Sequence, residues 1–306
     1  MAFDLQNLSK YTDELSLELI SKAVLNTNLL QEIDIRTGLS SGTVALNLFD
    51  GDLTVTDKAC GWSAAGDITP SQVDIVIKEK SVKMDLCPSD LRDYYMSQFM
   101  SASAVAGSEE IPFEQAISEY YVTKIIAFNE NFIINGDSTV DGLTDIMTAV
   151  NGANLAGGTI ATWTPANALA QALAIYDAIA ESVINREDII MVMSPSYYRT
   201  LTRALVAANL FHYDSVNANK ILILPGTNCK VVKSQGLIGS EHVFAGPASF
   251  MVAGTGLLDD TSNISFFYDQ GEDTVKMRAY WRLGIAAHQV NVFATNKGGV
   301  TPTATE

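Results

Sequence analysis

Residues 272–297 read EDTVKMRAYWRLGIAAHQVNVFATNK, and this closing stretch decides what kind of fold the chain can adopt. Val275, Met277, Ala279 and Trp281 alternate with Lys276, Arg278, Tyr280 and Arg282. A strict period of two places the first set on one face of a β-strand and the second on the other. Gly284 interrupts the alternation, which predicts a bend there and a second strand over 285–293. A long strand this late in a chain needs partners laid down earlier. The segment is therefore expected to tie the C-terminal part of the protein back onto something distant.

The 306 residues are 47% hydrophobic and 18% charged, enough for one large domain or two modest ones without a disulfide or a metal. Lys+Arg 19 against Asp+Glu 35 gives a formal charge of -16. Binding a phosphate backbone relies on cationic side chains, so this balance argues against a reader of nucleic-acid sequence. Cys60, Cys87 and Cys229 are far apart and odd in number, which suits a reducing compartment and buried thiols. No segment has the uninterrupted apolar length of a membrane span, and the opening MAFDLQNLSKYTDELS is acidic where a signal peptide is basic. The expectation is a soluble chain made in a cytoplasm, with no membrane partner.

Working backwards from the closing strand, EHVFAGPASFMVAG, CKVVKSQ and KILILPG read as short strands, the first of these as a pair. IIMVMSP is an apolar run ended by proline, the mark of a buried central strand, and SYYRTLTRALVAAN reads as the helix after it. A further helix is expected from Trp163-Thr164-Pro165 through ALAQALAIYDAIAESVI. A longer one runs from near Ile111-Pro112 to about Ile134 and stops at Asn135-Gly136. Pro88-Ser89-Asp90 has the capping chemistry to start another. Residues 37–69 are rich in Gly, Ser, Thr and Asp, and VDIVIKEKSVKMDL follows, giving a long two-stranded excursion with a glycine-rich tip at 61–66. A lone hairpin of that length needs something to pack against. Residues 1–37 read as a helical arm, with Leu15, Leu19, Ala23 and Leu30 at apolar positions.

Chemical motifs are scarce. His212, His242 and His288 are isolated, and there is no metalloprotease helix, nucleophile elbow, P-loop or dinucleotide fingerprint. Asp137-Ser138-Thr139-Val140-Asp141-Gly142 partly matches a calcium loop, but it lacks the third-position acid and has Thr148 in place of the bidentate glutamate, so turn chemistry explains it better. No catalytic residue, cofactor or metal is expected. Two features point to a partner surface. Trp62 stands at the loop tip, where an aromatic side chain is a liability unless it docks. Lys276, Arg278, Arg282 and Lys297 form a local excess of positive charge, either a solvated strand face or a stripe facing acidic residues of another copy.

Taken in order, these pieces resemble the major capsid proteins of tailed double-stranded DNA bacteriophages. GWSAAGDITP with VDIVIKEKSVKMDL and PSDLRDYY resembles the family's extended loop running into its peripheral domain. FIINGDSTVDGL resembles the end of the spine helix and the turn after it. IIMVMSPSYYRTL is similar to the centre of the axial domain, and DTVKMRAYWRLGIAAHQVNVFA to the closing peripheral strands. The resemblance spans nearly the whole chain and implies an α+β, HK97-type (Johnson) capsid fold. Its parts would be an N-terminal arm (1–37), an extended loop (38–82), a peripheral domain with the spine helix (83–162), an axial domain (163–264) and closing strands with a tail (265–306).

The resemblance implies a structural protein rather than an enzyme, self-assembling into pentamers and hexamers of an icosahedral head in the virion. Scaffolding, portal and decoration proteins would be further partners. Packaged double-stranded DNA would be held without sequence-specific binding. Trp62, Asp67, Ile68, Lys58, Lys276, Arg278 and Arg282 are the subunit-interface candidates. Only a short arm precedes the loop, which implies a separate scaffolding protein or none. Some relatives cross-link a loop lysine to a neighbour's asparagine; Lys58 lies in the loop, but no partner asparagine aligns. An encapsulin-like compartment shell around a cargo enzyme is the alternative of similar fold.

Overall fold

A computed structural model describes residues 29–52, 67–86, 113–156, 162–210, 222–256, 265–269, 271–272 and 274–297. The chain opens with turns at Leu29–Ile33 and a short strand, β1 (Asp34–Arg36). Most of the expected arm helix lies outside the described residues. Its described end is instead turn and strand, with Leu29, Leu30 and Ile33 buried in the core.

Strands β2 (Gly42–Asp52) and β3 (Asp67–Leu86) form the expected long hairpin, whose tip lies outside the described residues. The helix α1 (Phe113–Asn135) ends where the Asn-Gly pair predicts, with Gly136 at φ 65°. A tight turn of β4 (Gly136–Asp137) and β5 (Val140–Asp141) leads into α2 (Leu143–Ile146) and β6 (Asn154–Leu155). Next come α3 (Ala168–Asp177), β7 (Ile189–Met193) and α4 (Pro195–Ala207). The chain continues through β8 (Leu222–Ile223), β9 (Lys230–Lys233), β10 (Phe244–Pro247) and β11 (Met251–Thr255). It closes with β12 (Ser265–Asp269), β13 (Thr274–Ala287) and β14 (Ala294–Thr295).

Two six-stranded sheets organise these elements, one in the order β1-β11-β13-β3-β2 with β12 also on β13, the other β6-β14-β10-β7-β9-β8. The closing strand β13 is the spine of the first sheet. It pairs with β3 along one edge, and with β12 and then β11 along the other. Met277, Ala279, Trp281, Leu283 and Ile285 are buried in the main core, as their alternation predicts. The second strand expected over 285–293 does not form: β13 continues unbroken through Gly284 to Ala287, followed by a 3-10 turn (Val290–Val292) and β14.

In the second sheet β7 is central and wholly buried, as its sequence predicts. Ser194 caps α4, its hydroxyl accepting from the Tyr197 amide, with Pro195 in the first turn where a missing N–H costs nothing. Helix α3 stops at Asp177 rather than continuing to Ile184, because the Ala180 amide turns away to the Val292 carbonyl at 3.4 Å. EHVFAGPASFMVAG does hold two strands, but they do not pair with each other. The 3-10 turn Ala248–Phe250 carries the chain from β10 in one sheet to β11 in the other. That crossing is pinned by Asp188, whose carboxylate accepts from Arg186 at 2.8 Å and Ser249 Oγ at 2.5 Å. Arg186, with a smaller contribution from Ser249, holds the Asp188 carboxyl down at about 2.

Helix α1 joins the two sheets. Trp281 of β13 donates its indole N–H to Asn129 Oδ1 at 2.9 Å and meets the Phe128 ring edge-on. The next residue, Glu130, is 3% exposed, and its Oε1 accepts from Ser234 Oγ and the Gln235 amide, both at 2.8 Å. Gly236 allows the approach: a Cβ there would lie 2.8 Å from Ile134 Cβ.

His242 is buried beside the second sheet, 3.0 Å from the Met147 carbonyl and 2.9 Å from Thr295 Oγ1 through Nε2. A carbonyl only accepts, so Nε2 carries the proton and the ring is neutral; burial pushes its pKa down to about 4. The unfolded chain therefore takes up a proton below pH ~6.5 that the folded chain refuses until about pH 4, so this group costs stability as pH falls through that window. Urea unfolding of His242→Gln should show a shallower loss between pH 7 and 4.5 than the parent, by up to about 3 kcal/mol. Identical slopes would show that His242 charges freely in the folded chain.

Candidate assembly surface

The hairpin grows out of the first sheet by a change of partner inside one strand. Residues 67–77 of β3 pair with β2, and residues 78–86 pair with β13. The side chains change phase at the same place. Val73, Ile75 and Ile77 are the apolar odd positions of the hairpin, whereas Val82 and Met84, at even positions, face the same way as Ala279 and Met277 across the ladder.

The root of the hairpin lies over the sheet. Ile75 and Ile77 form a small second core with Leu46, Val252 and Ala286. Two glycines make the seat. Gly254 and Gly284 are direct cross-strand partners. A Cβ on Gly254 would lie 2.8 Å from Ile75 Cδ1, and one on Gly284 would lie 2.4 Å from the Val76 carbonyl oxygen. The interruption at Gly284 thus marks a close backbone approach, not a corner.

Among the described residues β2 pairs with β3 alone, through eleven register positions that run from Gly42↔Ile77 at the seat out to Asp52↔Asp67. Asp67 and Ile68 stand at the outer end of that ladder, opposite Asp52 and Gly51. Trp62 and Lys58 lie outside the described residues.

The basic candidates stand on the opposite face of β13 from its buried residues. Lys276 bonds Asp269 at 2.7 Å and Glu272 at 2.6 Å, and these carboxylates, Asp269 first, hold its pKa above the ordinary lysine value. Its charge is answered within its own β12–β13 hairpin. Arg278 lies directly opposite Lys83, and Arg282 opposite Glu79. The three share one face, while Asp67 and Ile68 occupy the far end of β3.

Two residues that did not stand out in the sequence complete the picture. Lys80, just past the change of partner, forms an ion pair with Asp137 and lies 4.2 Å from the centre of the Phe132 ring. Asp137 Oδ1 accepts from the Thr139 amide at 2.8 Å, the Thr139 hydroxyl at 2.7 Å and the Val140 amide at 3.0 Å. This carboxylate closes a turn, as the sequence favoured. Lys80, then Thr139, holds its pKa well below the usual carboxylate range. The one hint was a lysine on the apolar parity of β3, level with Trp281. Among the described residues no group of three or more His, Cys, Asp or Glu converges, and no helix is long and apolar enough to cross a membrane.

No protein-family model matches the chain, and no curated sequence does. Solved structures do. A satellite phage P4 procapsid including size determination (Sid) protein matches with a TM-score of 0.60 at 10% identity, over 91% of this chain and 89% of that one. The capsid of a native GTA particle matches at 0.58 with 11% identity, over 90% and 89%. Mycobacterium phage Che8 matches at 0.53 with 18% identity, over 84% of each chain. The chain has the HK97-type phage capsid fold.

The glycine seat gives a direct test. Alanine in place of a strand glycine would ordinarily gain about 0.5–1 kcal/mol. Gly284→Ala is expected to lose about 1–3 kcal/mol instead, because its Cβ meets backbone that must shift. Urea unfolding checks the sign, and a more stable variant would mean that the hairpin root is not seated there.

Proposed function

We propose that this chain is a major capsid protein that assembles into pentamers and hexamers of an icosahedral phage head around double-stranded DNA. The observation that carries this reading is the hairpin, which among the described residues is seated on its own sheet at its root alone. An isolated two-stranded ladder is marginal in water, so its outer length calls for a neighbouring surface. A second copy supplies that surface in a repeating way, and obligate contacts of this kind bury about 2,000–5,000 Å².

On this reading residues 38–82 are the extended loop. Residues 83–162, closed by 265–306, make the peripheral domain with α1 as its spine. Residues 163–264 make the axial domain, and 1–37 the arm. Trp62, Lys58, Asp67 and Ile68 belong to the reaching end, and Arg278 and Arg282 to a cationic face across which a neighbour's carboxylates set register. Lys276 contributes through the local fold of β12 and β13. The charge of -16 suits a wall that does not grip the packaged duplex. The role is structural and its place is the virion; scaffolding, portal and decoration proteins are the further partners to look for.

Expression of the full chain, alone and with the scaffolding protein of its genome if one is encoded, followed by negative-stain imaging, should show closed shells. Trp62→Ala should reduce shell yield while the unassembled chain unfolds at the parental urea concentration. Strictly monomeric parent protein under both conditions would overturn the reading. Copurification of a cargo enzyme instead of DNA, portal and tail proteins would move it to a cellular compartment shell.

A further inference from the structure

The C-terminal end of α1 holds two things at once. Toward the second sheet, Glu130 binds Ser234 and Gln235, and Asn135 donates to the Gly236 carbonyl at 2.7 Å. Toward the first sheet, the turn that follows α1 presents Asp137 to Lys80. Lys80 is the third residue of β3 past the point where its pairing passes from β2 to β13. The hairpin therefore leaves the sheet immediately beside a bond that leads, through α1, to the other sheet.

A cleft separates the hairpin root from the turn after α1, walled by Val73 and Val76 on one side, Val140 and Asp141 on the other, and Ala286 beneath. Packed interiors do not leave open clefts beside a rigid joint without consequence, because a tightly filled contact resists rotation and an open one does not. At this joint the hairpin is held by the glycine seat below and by the Lys80–Asp137 pair at its side.

We propose that Lys80 and Asp137 are positioning residues that fix the angle at which the hairpin projects, and that the cleft is the space into which its root turns when that pair is broken. The direction of the hairpin is then referred to the second sheet through α1, because the same helix end carries both attachments. This deepens the shell reading by naming what aims the reaching element, but the geometry itself exists in a single copy. Lys80 contributes both charge and packing: its ammonium meets the Asp137 carboxylate, and it also lies over the Phe132 ring face, an attraction retained by a guanidinium and lost with an apolar side chain.

Distances between spin labels test this. Full-length chain with Cys60→Ser and Cys87→Ser, leaving buried Cys229 in place, would carry labels at Gln72→Cys on the hairpin and Arg203→Cys on α4, diluted with unlabelled copies. The parent and Lys80→Arg should give one narrow distance. Lys80→Met, and Asp137→Asn, which keeps the turn's acceptor oxygen, should broaden the distribution about twofold, as a released hinge does. Parental urea midpoints would exclude unfolding as the cause. Parental widths in both loss variants, or a Lys80→Arg variant as broad as Lys80→Met, would overturn the proposal. Failure of the parent to form shells would remove the shell reading and leave this distance result standing.

Discussion

Everything in the first sheet depends on β13 having two different neighbours above it along its length. One face is uniformly buried from Met277 to Ile285. The other is polar through Lys276, Arg278, Tyr280 and Arg282, and then turns small at Gly284 and Ala286, where the hairpin root covers it. A strand can satisfy both conditions only if its second face is open at one end and tightly shared at the other. The glycine pair 254/284 sets the closeness of that sharing, and β3 follows from it. It joins β13 only from Lys78 onward, because the space over Gly284 is taken by its own preceding residues Val76 and Ile77.

The second sheet is built by more ordinary means, a buried five-residue strand with a capped helix after it. What binds it to the first is a polar contact in an apolar setting. Glu130 reaches a hydroxyl and an amide where α1 meets the turn 235–237. An unpaired carboxylate there would cost far more than the contact yields, so the helix is committed to that orientation. The same logic fixes Trp281 against Asn129: an indole N–H inside a core accepts few geometries that satisfy it. Charge and hydrogen bonding specify the arrangement, while apolar burial supplies its stability.

Much of this was legible in the residues. The period of two in 275–282 and the apolar run 189–193 gave strands because alternation and burial are local consequences of backbone geometry. The end of α1 at Asn135-Gly136 was legible because left-handed backbone has a residue preference. What local reasoning missed were long-range contacts. Gly284 looks like a bend in isolation; only Gly254 opposite it and Ile77 above it reveal a seat. EHVFAGPASFMVAG looks like a hairpin because nothing within it announces that its halves join separate sheets. The shift of apolar residues in β3 from odd positions (73, 75, 77) to even ones (82, 84) was in the sequence and did mark the change of partner. Lys80 carried a weaker signal, a charge on the buried parity, since its partner Asp137 was already explained by its turn. The interface residues at the loop tip rest on chemistry alone.

The chain passes between the two sheets twice within a short distance of itself, once through Ala248–Phe250 and once between Ala287 and Ala294, and the passes are stitched by the His288 amide bonding the Phe250 carbonyl at 2.8 Å. A force that pulls the sheets apart is therefore divided between two covalent strands running side by side, with α1 as a third brace. Tension is shared as in a doubled seam, and cutting either thread leaves the halves attached. Nicking one crossing by a protease would still leave the two sheets joined, a tolerance that a body joined by a single linker does not have.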